Sequence, residues 1–442
     1  MKIALVHDYL REYGGAERVL EVMHEMWPDA PLYTSFVDWP SMREHAKRFQ
    51  GWDIRTSWVQ KYPFIKRWIS PLRFLAPKIW KSFDFSEYDV VIFSSGWFMC
   101  RGVALNKRLE TGDRRLDGLS SAEVANKNLD PSSDSNSPSP STRSLRESED
   151  GLNFYGSPQS SRKPLHICYI HHPPRNLYGY ATGSDLQKYW FVRVYAAIVN
   201  FFLRQYDFDS AQAVDYFVAN SKETARRVEK FYRRDSVVVY PPIDVSRVKS
   251  QGSSKKSNIP HDPLTHDTKN YFLSVGRLTY AKRVDLAILA CNTLKLPLKI
   301  VGKGKEEEYL RSIAGPTVEF LGGVSDEKLN KLYSGARTLI FSALDEDFGM
   351  VPVEAMAHGT PVIGLSQGGV KETVVDGVTG ILFDEATVSS LESAMKRFMS
   401  MKKEWSSDCK KQADKFSKAR FKKELDEYVN GMYKKVRIEA NV

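Results

Sequence analysis

Residues 341–383 read FSALDEDFGMVPVEAMAHGTPVIGLSQGGVKETVVDGVTGILF, from Phe341 to Phe383. An apolar run of strand character, Thr338 to Ser342, leads into this stretch. Pro352 suits the first turn of a helix and Gly359 its end, so the spacing predicts a short helix over Val351 to His358. Glu346 then stands in the loop at the strand's carboxyl end, and Glu354 projects from the helix that follows. In open α/β sheets the crevice outside the carboxyl ends of the strands is where ligands bind. Two carboxylates there, with the free backbone N–H groups of Phe348, Gly349, Met350 and Val351 between them, suit a ligand rich in hydroxyls and phosphates. Spacing alone fits two solvated acids on an ordinary strand-loop-helix unit equally well.

Working outward, the same alternation fills most of the chain. Strands are predicted at Ile3–Val6, Leu32–Phe36, Val90–Ser94, His166–Ile170, Phe217–Asn220 and Val237–Tyr240, with helices at Ala16–Met26 and Glu223–Phe231. A second series starts at Tyr271–Gly276 and continues through Leu298–Val301, Val318–Leu321, Thr338–Ser342 and Pro361–Gly364. That pattern predicts an α/β protein with two parallel sheets covered on both faces. The expected division is residues 1–247, a polar linker over 248–269, a second unit over 270–415, and a final helix over 416–442. One stretch fits neither unit. Residues 108–162, including DPSSDSNSPSPSTRS, carry too little apolar surface to offset ordering entropy and are expected to be a disordered insertion. A solvated loop is preferred there over a regulatory phosphorylation region.

Composition narrows the class. A chain of 442 residues is long enough for about three domains or two large ones. Its 42% hydrophobic and 27% charged residues are those of a globular protein. The start, MKIALVHD, reads as a first buried strand rather than a signal peptide. Cys100, Cys168, Cys291 and Cys409 are scattered without metal-ligand spacing, so reduced thiols and a cytoplasmic location are expected. Trp190 to Leu203 is the most apolar run, but Arg193 and Asn200 interrupt it, and it reads as a buried helix. The net charge of +10 calls for an anionic partner or site: nucleic acid, anionic lipid or a phosphorylated substrate. No zinc-finger, RRM-like or helix-turn-helix pattern supports nucleic acid. From Ile54 to Phe83 there are seven Lys or Arg and no Asp or Glu, interleaved with Trp58, Tyr62, Phe64, Trp68, Phe74, Trp80 and Phe83. Such a segment suits an anionic membrane surface, giving peripheral attachment at its inner face, although a solvated basic face over an aromatic core also fits.

Three more segments carry chemistry. Val275-Gly276-Arg277-Leu278-Thr279-Tyr280-Ala281-Lys282 stands at a strand-to-helix transition, with Arg277 in the turn and Lys282 in the first helical turn. Cations there oppose the macrodipole, so an anion bound between them is the better explanation. Gly14-Gly15 before a helix lets a backbone approach a phosphate or sugar closely, though ordinary turns use the same pair. This is not G-x-G-x-x-G, which argues against a nicotinamide dinucleotide. HICYIHHPPR, His166 to Arg175, ends a strand on two histidines, His171 and His172, with no further ligand nearby at metal spacing.

The linked set E-x-F-G-x-x-x-x-E, A-M-A-x-G-x-P-V-I, G-G-x-x-E and D-G-x-T-G resembles the donor-site signature of retaining GT-B glycosyltransferases of family 4. The G-R-L-x-x-x-K and G-G-A-E-R-V stretches, and HICYIHHPPR as a variant of C-Y-C-H-T-P-x-R, extend the likeness toward mannosyltransferase-like members. The resemblance implies a GT-B fold of two Rossmann-like domains facing a cleft, the first on the acceptor side. It implies transfer of a hexosyl unit, mannose from GDP-mannose being preferred, to a glycan or lipid-linked acceptor in polysaccharide biosynthesis. Arg277 and Lys282 would hold the leaving diphosphate, Glu346 the sugar hydroxyls and Glu354 the ribose. Gly15 would approach the diphosphate, and His171 would face the sugar. No cofactor and no metal are expected, Asp345-Glu346-Asp347 being part of the signature rather than a D-x-D motif. His172 for the usual Thr and Ile170 for Cys point to a changed acceptor subsite. The rivals are a GT-B sugar-nucleotide epimerase and a non-catalytic sugar-nucleotide sensor.

Overall fold

In a computed structural model, which describes residues 1–105, 163–180, 189–244 and 270–439, two all-parallel sheets face each other. The insertion expected over 108–162 and the linker over 248–269 lie outside the described residues. The first sheet comprises β1 (Ile3–His7), β2 (Leu32–Thr34), β3 (Ile54–Thr56), β4 (Val90–Ser95), β5 (Leu165–Ile170), β6 (Tyr216–Ala219) and β7 (Val237–Val238), in the order 3-2-1-4-5-6-7. The second comprises β8 (Tyr271–Val275), β9 (Leu298–Val301), β10 (Val318–Gly322), β11 (Ala336–Phe341), β12 (Val362–Leu365) and β13 (Gly380–Phe383), in the order 10-9-8-11-12-13. Their strands are near-continuous apolar runs because helices cover both faces.

Each sheet reverses its winding once. The reversals fall between β1 and β4, where Ile3 pairs with Val90 and His7 with Ser94, and between β8 and β11. Loops diverge at such switch points and leave a crevice. The GT-B architecture is therefore present, and its two crevices position everything below.

Five helices matter to the site: α1 (Gly15–Met26), α2 (Trp190–Ala213), α3 (Lys222–Tyr232), α4 (Met350–Ala357) and α5 (Lys418–Glu439). Helix α4 begins one residue before its predicted start, because Gly349 adopts the left-handed conformation (φ 88°) that releases the loop into the helix. Helix α5 buries Phe421, Leu425 and Val429, spaced one turn apart, against Ile3, Leu5 and Leu165 of the first sheet.

Helix α2 corrects a sequence expectation. It was expected to be buried, but its fully buried residues, Leu203, Asp207, Ser210 and Ala211, all lie in its second half. Asp207 there is fully buried and accepts hydrogen bonds from Arg101, Tyr178 and Tyr232. The first half leaves Trp190, Phe191, Ile198, Phe201 and Phe202 in solvent. The helix starts where expected but runs ten residues past Leu203, to Ala213, and the number of its apolar faces was misread. The run carries two, and the fold covers one.

Candidate active site

The cleft is built from loops at the two switch points. On the second sheet the chain after β8 turns through Gly276 and Arg277 into a 3-10 turn, Tyr280–Lys282. The α-helix begins only at Val284, after Arg283 in the left-handed conformation. Lys282 thus precedes the helix and is not in its first turn, a second correction. The kink turns its ammonium toward the loop after β11, where Nζ donates to Glu346 Oε2 at 2.7 Å. Leu344 N–H donates to the Ala281 carbonyl at 2.8 Å and Ser342 Oγ to that of Arg283 at 2.7 Å, fixing the two loops together.

Glu346 is partly buried. Burial alone would raise its carboxyl, but Lys282 and Arg175 outweigh that and hold it below the ordinary carboxylate range. Its backbone has a specific support. The Gly369 N–H donates to the Glu346 carbonyl at 2.9 Å, and a Cβ on Gly368 would come within 2.0 Å of that oxygen. Gly368 also sits at φ 56°, so this member of the G-G-x-x-E motif is a glycine for steric reasons.

Asp347 anchors the same loop to the first sheet's side. Its carboxylate accepts from Arg175 and Arg227, and Ser221 Oγ donates to its carbonyl at 2.6 Å. The Phe348 ring is buried beside Tyr240 and Phe416. The first N–H groups of α4, from Met350 and Val351, have no partner within the helix and can be offered to a ligand. Further along α4, Glu354 accepts from Tyr333 Oη at 3.0 Å and from Arg18 of α1 across the cleft.

The first sheet supplies the opposite wall. Gly15 opens α1, and a Cβ there would reach within 2.8 Å of Met350 Sδ, so the two walls nearly touch. Arg277 is 70% exposed and donates to Glu12 of the loop after β1 at 2.8 Å. His171 is buried at the end of β5, and its Nε2 lies 2.8 Å from Ser94 Oγ. Ser94 Oγ is 3.0 Å from His7 Nδ1, and His7 Nε2 is 3.4 Å from Glu17 Oε1, so four side chains form one buried chain. Burial holds the His171 imidazole well below its ordinary value, with His7 and His172 adding to the effect. It is a neutral ring on the cleft wall at pH 7. Asp8 accepts from the backbone N–H groups of Gly96, Phe98 and Cys100 at 2.9–3.0 Å and locks the β1 and β4 loops together.

Of the four expected catalytic residues, Glu346 and Lys282 are in contact, Arg277 pairs with Glu12, and His171 is buried against Ser94. Beside Glu354 a cavity of about 130 Å³ opens between Tyr13, Arg48, Asp326 and His358; it does not reach Lys282 or Glu346. Among the described residues no group of three or more His, Cys, Asp or Glu is placed to hold a metal ion. Asp347, Arg175, Arg227, Asp8, Ser94 and Glu17 were not singled out from sequence for these contacts. Asp347 had a signal, a charged neighbour of Glu346 inside the motif, but its partners are more than a hundred residues away.

The two parallel sheets and their crevices define the two-domain GT-B architecture. Residues 255–416 match the family of glycosyl transferases group 1. A D-inositol 3-phosphate glycosyltransferase of Nocardioides sp. is 28% identical over 217 residues, covering 42% of this chain and 46% of that protein. The alpha-1,3/1,6-mannosyltransferase ALG2 of Dictyostelium discoideum is 29% identical over 221 residues, 42% of this chain and 52% of that one. The matched region spans about half the length of these two curated relatives. Anabaena HepE, solved in complex with UDP, superposes with a TM-score of 0.62 at 15% identity, covering 98% of this chain and 100% of that one.

Proposed function

We propose that the protein is a retaining glycosyltransferase that moves a mannosyl unit from GDP-mannose to a glycan or lipid-linked acceptor. The observation that carries the reading is the Lys282–Glu346 contact at the switch point of the second sheet, in the loop that leads into α4, whose Met350 is approached by Gly15. An ammonium has three donors, so Lys282 can keep Glu346 and still reach a phosphate oxygen. The bond from the anomeric carbon to the β-phosphate oxygen breaks while the acceptor oxygen bonds to the same face. The acceptor's proton passes to the departing phosphate. Lys282 and Arg277 stabilise the growing charge, each preorganised contact being worth ~3–4 kcal/mol. Glu346 holds sugar hydroxyls, Glu354 the ribose, and the α4 backbone the diphosphate. The choice of mannose is supported by the similarity to ALG2.

A lipid-linked acceptor places the enzyme at a membrane, and segment 54–83 supplies the cations and exposed aromatic rings for an anionic surface. The domain division at 247 and 270 serves this scheme, with the first unit on the acceptor side.

The test is a donor panel. Thermal shift and slow donor hydrolysis are measured with GDP-mannose, UDP-glucose and UDP-galactose. Ligand at a hundred times its dissociation constant adds about 2.7 kcal/mol of stability, a readable shift. Hydrolysis confined to GDP-mannose is expected. Free epimer produced without acceptor would replace the reading with an epimerase, and binding without any turnover would replace it with a sensor.

A further inference from the structure

Helix α2 carries two apolar faces of different fate. At about 100° per residue, the half-buried Val192, Ala196 and Val199 and the buried Leu203 and Ser210 share one side. Trp190, Phe191, Val194, Ile198, Phe201 and Phe202 share another, an arc of about 120° over some three and a half turns. Trp190 is 69%, Phe201 66% and Phe202 67% exposed. Scattered apolar residues need no explanation on a soluble surface, but a continuous helical stripe of large ones does.

Its surroundings point to one occupant. Arg193 and Arg204, both exposed, flank the stripe on one side, and Trp190–Phe202 contains no Asp or Glu. The segment Pro71–Arg73 packs against the helix: Tyr195 Oη donates to the Pro71 carbonyl and Arg73 to Asn200 Oδ1. This brings the exposed rings of Trp68 and Phe74 to the border of the helix, together with Arg67. Aromatic and aliphatic side chains rimmed by cations, without acids, complement the headgroup and upper acyl region of an anionic bilayer. No helix among the described residues is long and apolar enough to cross a membrane. The face lies on a bilayer; it does not span one.

We propose that the exposed face of α2 inserts into the interface of an anionic membrane, with segment 54–83 as its electrostatic border. The proposal deepens the membrane reading of that segment and does not depend on which sugar is moved. It also links the membrane to the cleft, since Asn200 Nδ2 donates at 3.1 Å to the carbonyl of Asn176, five residues beyond His171.

The experiment uses the full chain with vesicles of phosphatidylglycerol and phosphatidylcholine, against phosphatidylcholine alone. Wild type should co-sediment with the anionic vesicles, less so at high salt. Acyl chains brominated near the headgroup should quench its fluorescence, and Trp190→Phe should remove part of that quenching. Ile198→Glu/Phe202→Glu should reduce partition about tenfold or more with an unchanged melting temperature. Wild-type binding by that variant would overturn the role of α2 and leave segment 54–83 to act alone. Absence of wild-type binding at low salt would overturn both. Concentration-dependent dimers abolished by the variant, without vesicle binding, would assign the face to a second copy of the chain. Should the variant not fold, the difference in quenching between wild type and Trp190→Phe decides. Donor hydrolysis without vesicles is read in parallel, and its loss would count against the transfer reading alone.

Discussion

Arg18 of α1 donates to Glu354 of α4, so a side chain of the first sheet's leading helix closes on a carboxylate of the second. Arg18 is 36% exposed and Glu354 14%, and solvent screens the pair. A double-mutant cycle over Arg18→Met and Glu354→Gln, read by urea unfolding, is expected to give a coupling of about 1 kcal/mol or less. A weak pair of this kind can be exchanged for ribose hydroxyls. A coupling well above that would make it a structural clasp and remove Glu354 from donor binding.

Lys282 and Arg277 differ in setting, which separates their expected effects. Lys282 is held by Glu346 within the cleft, while Arg277 is mostly exposed and paired with Glu12. Lys282→Ala should lower kcat by about 10²–10³-fold. Arg277→Ala should cost less, about tenfold, because water already competes for its guanidinium. Near-normal turnover by the double variant would take the diphosphate clamp out of the mechanism.

Glu346→Gln keeps the shape of the side chain and removes its charge. Charge-assisted acceptance from sugar hydroxyls is lost, so kcat should fall while free GDP binds nearly as before. Calorimetry with GDP gives the check: an equal collapse of nucleotide affinity would make Glu346 a nucleotide ligand.

Stability should fall as the medium is acidified, beginning near neutrality. Above about pH 6.5 both the folded and unfolded forms of His171 are neutral, and the group contributes no slope. As pH falls through that value the unfolded chain takes up a proton that the buried ring refuses, so unfolding is favoured by up to about 1.4 kcal/mol per pH unit for one group. His172 is shifted in the same direction, again chiefly by burial. Glu346 and Asp347, whose carboxyls are held low, add their own loss only below about pH 4. Urea melts at pH 7.5, 6.5 and 5.5 should show this slope, flatter in His171→Gln. Identical slopes would mean His171 titrates freely.

What could be read from the chain was whatever is local. Strand and helix positions follow from periodicity, and the glycines at 349 and 368 mark turns that the backbone requires. The meeting of Lys282 with Glu346 was legible only as two loops at one sheet edge. Asp8 looked like an interruption of a strand, yet it caps three N–H groups some ninety residues away. The chain Glu17–His7–Ser94–His171 joins four loops and elements whose register is set by strand pairing, which no short-range pattern encodes. Helix α2 was misplaced for a related reason: hydropathy measures how apolar a segment is and carries no information on what covers it.

Asp347 has one further consequence. It is fastened to Arg175 and Arg227 of the first half of the chain, while its immediate neighbour Glu346 grips Lys282 of the second. One peptide unit therefore bridges two bodies. Rotating the sheets apart must either break the arginine contacts or draw Glu346 off Lys282. Opening the cleft and separating Glu346 from Lys282 are then a single mechanical event, and a loosened first half would be felt at Glu346 without any signal having to cross the core.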